Sequence, residues 1–185
     1  YQQAIALYQQ SLEIKRQIGD RGGEAASLGN LGIAYNSLGE YQQAIALHQQ
    51  SLEIQRQIGD RLGEAMCLNN LGEAHYSITQ YHQAVLFYQQ AIALKQNIGN
   101  LHSLAISWEN LGEVLSKLNR IPDALGAYRN AKQLYQEMKL DRKVQDCDNA
   151  IQNLESPPSR QPQNIWQKLR QFFRSFRRFI GNLFQ

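Results

Sequence analysis

YQQAIALYQQSLEIKRQIGD, residues 1–20, returns as YQQAIALHQQSLEIQRQIGD at residues 41–60, with two differences in twenty positions. It comes back more loosely as YHQAVLFYQQAIALKQNIGN at residues 81–100, and once more as IPDALGAYRNAKQLYQEMKL from Ile121. The period is 40 residues, with no insertion. Self-similarity at a fixed period of this size marks stacked supersecondary units, because one unit cannot bury its own apolar face. The spacing therefore predicts a solenoid, an architecture that mostly binds other molecules. The chain begins inside a repeat and without Met, as a piece of a longer array would.

One period, residues 63–99, shows what the unit is. Ala65, Leu68, Leu71, Gly72, His75 and Ile78 recur every three or four residues, the spacing of an amphipathic helix. Thr79 and Gln80 end it, where Gly39–Glu40 and Asn119–Arg120 stand in the neighbouring repeats. Gly or Asn at such a place allows the left-handed turn that closes a helix. A second helix runs from Tyr81 to about Ile98, with Ala84, Val85, Tyr88, Ala91, Ile92 and Leu94 on its apolar side. Each period is thus a helical hairpin. Gly32, Gly72 and Gly112 sit one turn before Tyr35, His75 and Leu115, and Ala4, Ala44, Ala84 and Ala124 open the second helices. Gly inside a helix costs about 1 kcal/mol against Ala, so these sites predict close backbone approach within the hairpin.

Leu31, Gly32, Tyr35, Gly39, Tyr41, Ala44 and Ser51 make one set. Leu71, Gly72, His75, Tyr81, Ala84 and Ala91 make the next, followed by Leu111, Gly112, Ile121, Ala124 and Ala131. This pattern resembles the tetratricopeptide repeat over residues 1–140. The family's usual unit is shorter and carries Pro between repeats, whereas Gly-Asp-Arg or Gly-Asn-Leu stands there in this chain. In that respect it is similar to the long-repeat subclass of kinesin light chain and the Leu-Gly-Asn-rich adaptors. The resemblance implies an all-α, right-handed superhelix of antiparallel hairpins whose first helices line a peptide-binding channel. Residues 141–155 read as a capping helix, with Val144, Cys147, Ile151 and Leu154 inward and Arg142, Lys143, Asp146, Asp148 and Asn149 as a polar cover.

On the first helices, residues at i, i+3 and i+7 share a face. The matching sets are Asn30, Ile33 and Ser37; Asn70, Glu73 and Ser77; and Asn110, Glu113 and Lys117. An Asn offers both a donor and an acceptor to an extended peptide backbone. In related repeats an Asn here holds bound peptide, a role the resemblance carries to Asn30, Asn70 and Asn110. Beside them lie Met66, Asn69, Glu73 and Tyr76, then Ile106, Glu109, Glu113 and Lys117. Three carboxylates against one Lys favour a basic or amphipathic peptide. The Lys and Arg of a carboxylate clamp are absent from these positions, which argues against capture of an acidic C-terminus.

The net charge of +3 conceals an asymmetry. All 16 acidic groups lie in residues 1–155, while residues 156–185 hold six basic groups and no acid. Residues 156–163 carry three of the four prolines and read as an extended linker. Residues 164–185 read as a basic amphipathic helix. Trp166, Phe172, Phe173, Phe176 and Phe179 belong to its apolar stripe, and Lys168, Arg170, Arg174, Arg177 and Arg178 to the remainder. Attachment to an anionic membrane surface suits that composition best. Docking into the acidic channel of the same or a neighbouring chain, as an autoinhibitory or self-assembly element, is the second reading. Simple packing is the third, and nucleic acid is disfavoured for lack of a stacking platform.

No nucleophile–base pair, phosphate-cradling loop or metal-ligand set is visible, so no enzyme, cofactor or metal is expected. His48 stands where Tyr8 and Tyr88 do, and His75 where Tyr35 does, so both read as packing aromatics. Cys67 and Cys147 read as reduced thiols in helices, and no apolar run reaches the ~18 residues of a membrane span. The expected place is the cytoplasm, with the tail offering peripheral membrane attachment.

Overall fold

The computed structural model describes residues 2–156. The chain divides into two units, Tyr1–Leu154 and Glu155–Gln185. Among the described residues there are eight helices and no strand. They are α1 (Gln2–Gln17), α2 (Arg21–Ser37), α3 (Tyr41–Ile58), α4 (Arg61–Ser77), α5 (Tyr81–Ile98), α6 (Leu101–Lys117), α7 (Ile121–Glu137) and α8 (Asp141–Glu155). From α1 to α7 each helix packs on the next, α8 joins α7 through Cys147 and Tyr135, and α2 also meets α4, as α4 meets α6. The first unit is the expected all-α solenoid. The expected C-terminal helix of residues 164–185 lies outside the described residues.

The helix ends follow from local chemistry. Asp20, Asp60 and Asn100 cap α2, α4 and α6 by accepting from the backbone N–H groups of Gly23, Gly63 and Ser103. Gly59 and Gly99 close α3 and α5 in the left-handed conformation. Pro122 stands in the first turn of α7, where its missing N–H costs nothing. The turn after α4 departs from the Gly-or-Asn expectation, since Thr79 takes φ +61° with a β-branched side chain.

The core is a row of clusters along the array. One joins Leu28 and Leu31 of α2 to Ile54 of α3, the next Leu68 and Leu71 of α4 to Ile45, Leu52 and Ala91. A third gathers Val85 and Ile92 with Leu111, Val114 and Leu115, and a fourth closes on Tyr135 and Cys147. Each fully buried aliphatic side chain contributes about 2 kcal/mol. The helical glycines serve a different purpose from backbone approach. A Cβ on Gly32, Gly72 or Gly112 would meet the ring of His48, Tyr88 or Tyr128 at 2.5, 2.7 and 3.0 Å. Each glycine makes room for one aromatic ring of its hairpin partner.

Val144, Cys147 and Leu154 of α8 face the core. Two half-exposed residues of the polar cover bind the neighbouring helices: Asp148 accepts from Lys132 of α7, and Lys143 from α8 pairs with Glu109 of α6.

Candidate functional site

Between α4 and α6 lies a groove of about 480 Å³. Asn69, Glu73, Tyr76 and Ser77 line it from α4, Ile106, Asn110, Glu113 and Val114 from α6, and Tyr88 from α5. The 40-residue period explains the choice of residues, because neighbouring parallel helices turn different sides toward a shared furrow. Helix α4 offers the register 69, 73, 76 and 77, and α6 offers 106, 110, 113 and 114. One period earlier those places are held by Gly29, Ile33, Asn36 and Ser37 on α2, and by Met66, Asn70, Glu73 and Ala74 on α4.

Of the residues singled out in the sequence, Asn69, Glu73, Tyr76, Ser77, Ile106, Asn110 and Glu113 come together in the groove. Asn30, Asn70, Glu109 and Lys117 are not among its lining residues. Asn30 and Lys117 are exposed, and Asn70 is half-buried. Glu109 is engaged elsewhere: it accepts from the Tyr135 hydroxyl at 2.6 Å and from Lys143 at 3.1 Å. The expected trio of channel carboxylates is therefore a pair, Glu73 and Glu113. No cation lines the groove among the described residues. Trp166, Lys168, Arg170 and the rest of the proposed surface set lie outside the described residues.

The two carboxylates are held by the neighbouring first helix. Asn36 Nδ2 donates to Glu73 Oε1 at 3.2 Å, and the Tyr76 hydroxyl donates to Glu113 Oε1 at 2.5 Å. These are the same bond one period apart. Each bond engages one carboxylate oxygen, and both Glu residues are exposed. Burial, then the bond to Glu113, drives the Tyr76 phenol well above its ordinary value, so it stays a donor. Burial likewise raises Tyr88.

One group not singled out in the sequence stands beside this site. Lys95 of α5 is 3% exposed, and no carboxylate pairs with it among the described residues. Its ammonium donates to Ser107 Oγ at 2.7 Å, to the Ser103 carbonyl at 3.1 Å and to Asn69 Oδ1 at 3.5 Å. Burial pushes it down to about 8. The signal available in the sequence was its alignment with Lys15, whose partner Asp20 becomes Asn100 one repeat pair later. His48 is 1% exposed, its Nδ1 lacks a partner among the described residues, and burial lowers it to about 4. His75 stacks on Phe87 at 5.1 Å and bonds Gln80. Among the described residues no three His, Cys, Asp or Glu side chains gather as a metal site, and no helix is long and apolar enough to cross a membrane.

The profile of the tetratricopeptide repeat matches residues 1–57 and 34–97, more than half of the chain. The chain belongs to the tetratricopeptide repeat family. No curated protein matches it. Among solved structures it is similar to BtubC (BKLC) from P. vanneervenii, at 18% identity and a TM-score of 0.71, covering 83% of this chain and 65% of that one. It is similar to aspartyl phosphate phosphatase F from Bacillus subtilis, at 18% identity and a TM-score of 0.78, covering 92% and 44%. A Rap protein complexed with Competence and Sporulation Factor is also similar, at 15% identity and a TM-score of 0.68, covering 81% and 42%. The chain thus spans about two thirds or less of these proteins' own lengths. At such identities the likeness concerns the fold. Within that fold, the groove lies between the first helices of two consecutive tetratricopeptide repeats, on α4 and α6.

Proposed function

We propose that this tetratricopeptide array is a protein-interaction scaffold that holds an extended, basic segment of a partner protein in the groove between α4 and α6. The observation that carries it is the lining: Glu73 and Glu113 exposed, amides at Asn69 and Asn110, apolar area from Tyr76, Tyr88 and Ile106, and no cation among the described residues. A cationic side chain gains from two fixed carboxylates, while the amides pair with its backbone. Direct contact of α2 with α4 and of α4 with α6 supports reading the first-helix side as the inner one. The Rap protein bound to a factor shows that a similar fold can hold a partner. Catalysis is no part of this reading, and the phosphatase name belongs to a protein only 18% identical.

The layout proposed with it is an array over residues 1–140, a cap at 141–155, a linker at 156–163 and a surface-attachment segment at 164–185. The test uses a fluorescein-labelled (Arg-Leu)5 peptide and its (Glu-Leu)5 counterpart in anisotropy titrations. The basic peptide is expected to bind and to weaken with salt, and Glu73→Gln with Glu113→Gln to lower its affinity at least about tenfold. Equal binding by the double variant sinks the groove. Flotation on anionic vesicles with and without residues 164–185 tests attachment, and unchanged flotation after deletion removes that part.

A further inference from the structure

The buried ammonium of Lys95 bears on the groove through Asn69. A Lys offers three donors and no acceptor, so every atom it meets must accept. Ser107 Oγ accepts from Lys95 at 2.7 Å, and its own proton goes on to Asn69 Oδ1 at 2.8 Å, with the Ser103 carbonyl at 3.2 Å as a second acceptor. Asn69 Oδ1 also lies 3.5 Å from the ammonium. Turning the amide over would set its N–H groups against a cation and a donating hydroxyl. The oxygen is thereby committed inward, and the amino end is left for the groove that Asn69 lines.

We infer that Lys95 and Ser107 are positioning residues that fix Asn69 as a hydrogen-bond donor into the groove, so that a carbonyl oxygen of the bound segment sits there, beside the carboxylates that take its cations. This rests on the groove reading given above. The following repeat shows the same device with other residues. One period on, Tyr135 donates to Glu109 as Lys95 does to Asn69. One period back the groove-side position is Gly29, and Gln55 lies instead against Gly63, with its Oε1 buried and without a partner among the described residues. Position 95 or 135 of a second helix thus addresses position 69 or 109 of its hairpin partner. A buried ammonium with no carboxylate burdens the fold, which is unexpected of a residue kept for packing alone.

The experiment compares the wild type with Lys95→Met and Ser107→Ala. It reads the Asn69 Cγ carbon by 13C-detected NMR, the melting temperature, and the affinity for the (Arg-Leu)5 peptide. Lys95→Met is expected to melt above the wild type, to shift the Asn69 Cγ resonance and to bind the peptide about fivefold more weakly. Ser107→Ala, which breaks the relay, is expected to shift the same carbon. A purely structural Lys95 gives the opposite: a lower melting temperature with unchanged affinity. An unmoved Asn69 Cγ in both variants overturns the inference whether or not the peptide binds. If the wild type fails to bind while the carbon moves in the variants, the groove reading falls and the orientation of Asn69 stands.

Discussion

A single substitution inside the repeat gives the array a titrating residue in its core. Tyr88 and Tyr128 lie against Gly72 and Gly112, and His48 takes that place against Gly32. The replacement was legible in the sequence from the period alone, and so was its packing role. What the sequence could not show is that Nδ1 would find no partner, since that depends on which backbone groups surround the ring. Burial holds the imidazole at about 4, below its ordinary 6.5. Between those values the unfolded chain takes up a proton that the folded one refuses, so stability rises with pH across this window and is lost on acidification. The full effect is about 3 kcal/mol, reached below pH 4. Urea midpoints at pH 4.5 and 7 measure it. His48→Tyr is expected to remove roughly 2 kcal/mol of the acid loss, leaving the part due to carboxylates common to both proteins. An identical pH difference in the variant excludes His48 as the cause.

The helices themselves were read almost to their ends, because amphipathic spacing and Gly-Asp or Gly-Asn stops are local signals. The contacts between them were less legible. Glycines at 32, 72 and 112 were expected to bring backbones together, yet an aromatic ring occupies each space, a fact of tertiary packing invisible to spacing. The distinction has a measurable consequence. Gly72→Ala sets a methyl 2.7 Å from the Tyr88 ring, and the ring cannot retreat without disturbing the groove it lines. Gly29 is also helical, but a Cβ there meets nothing nearer than Ser51 Oγ at 3.7 Å. Gly29→Ala is therefore expected to stabilise the array by about 1 kcal/mol, through helix propensity alone. Gly72→Ala is expected to destabilise it by roughly 1–3 kcal/mol. Chemical denaturation of the two variants checks the sign, and equal effects would mean that the ring contact does not govern these positions. The junctions between hairpins differ as well. Arg16 and Arg21 clamp Glu24, and Arg56 and Arg61 clamp Glu64, but the third junction carries Gln96, Leu101 and Leu104 in those places. That neutral junction is where Lys95 sits without a carboxylate.

Across the whole array, the candidate site was half legible. The row of first-helix positions could be drawn from the period, which is why Asn69, Glu73, Tyr76, Asn110 and Glu113 were found. Which side of each helix faces its neighbour depends on the crossing of α4 and α6, and this removed Asn70, Glu109 and Lys117 from the lining. Lys95 was missed because a charged residue in a Gln-rich helix reads as exposed. The period itself makes a demand that no single residue does. In a solenoid, stability is a sum of repeat terms and nearest-neighbour interfaces, so one unit can leave if the register is kept. Deleting residues 41–80 joins Glu40 to Tyr81 and lets α2 pair with α5, a hairpin whose Gly32 then faces Tyr88, the partner that Gly72 has in the intact chain. The shortened chain is expected to stay helical and cooperative, with a denaturant m-value lower by about a quarter, as befits the loss of two of the eight helices among the described residues. It is also expected to lose affinity for the basic peptide, since Glu73 goes with α4 and Ile33 faces the furrow instead. Removing 34 residues in place of 40 breaks the alignment of Gly32 with its ring and should abolish cooperative unfolding. If the 34-residue deletion folds as well as the 40-residue one, the repeat length does not set the packing, and the groove derived from it has no basis.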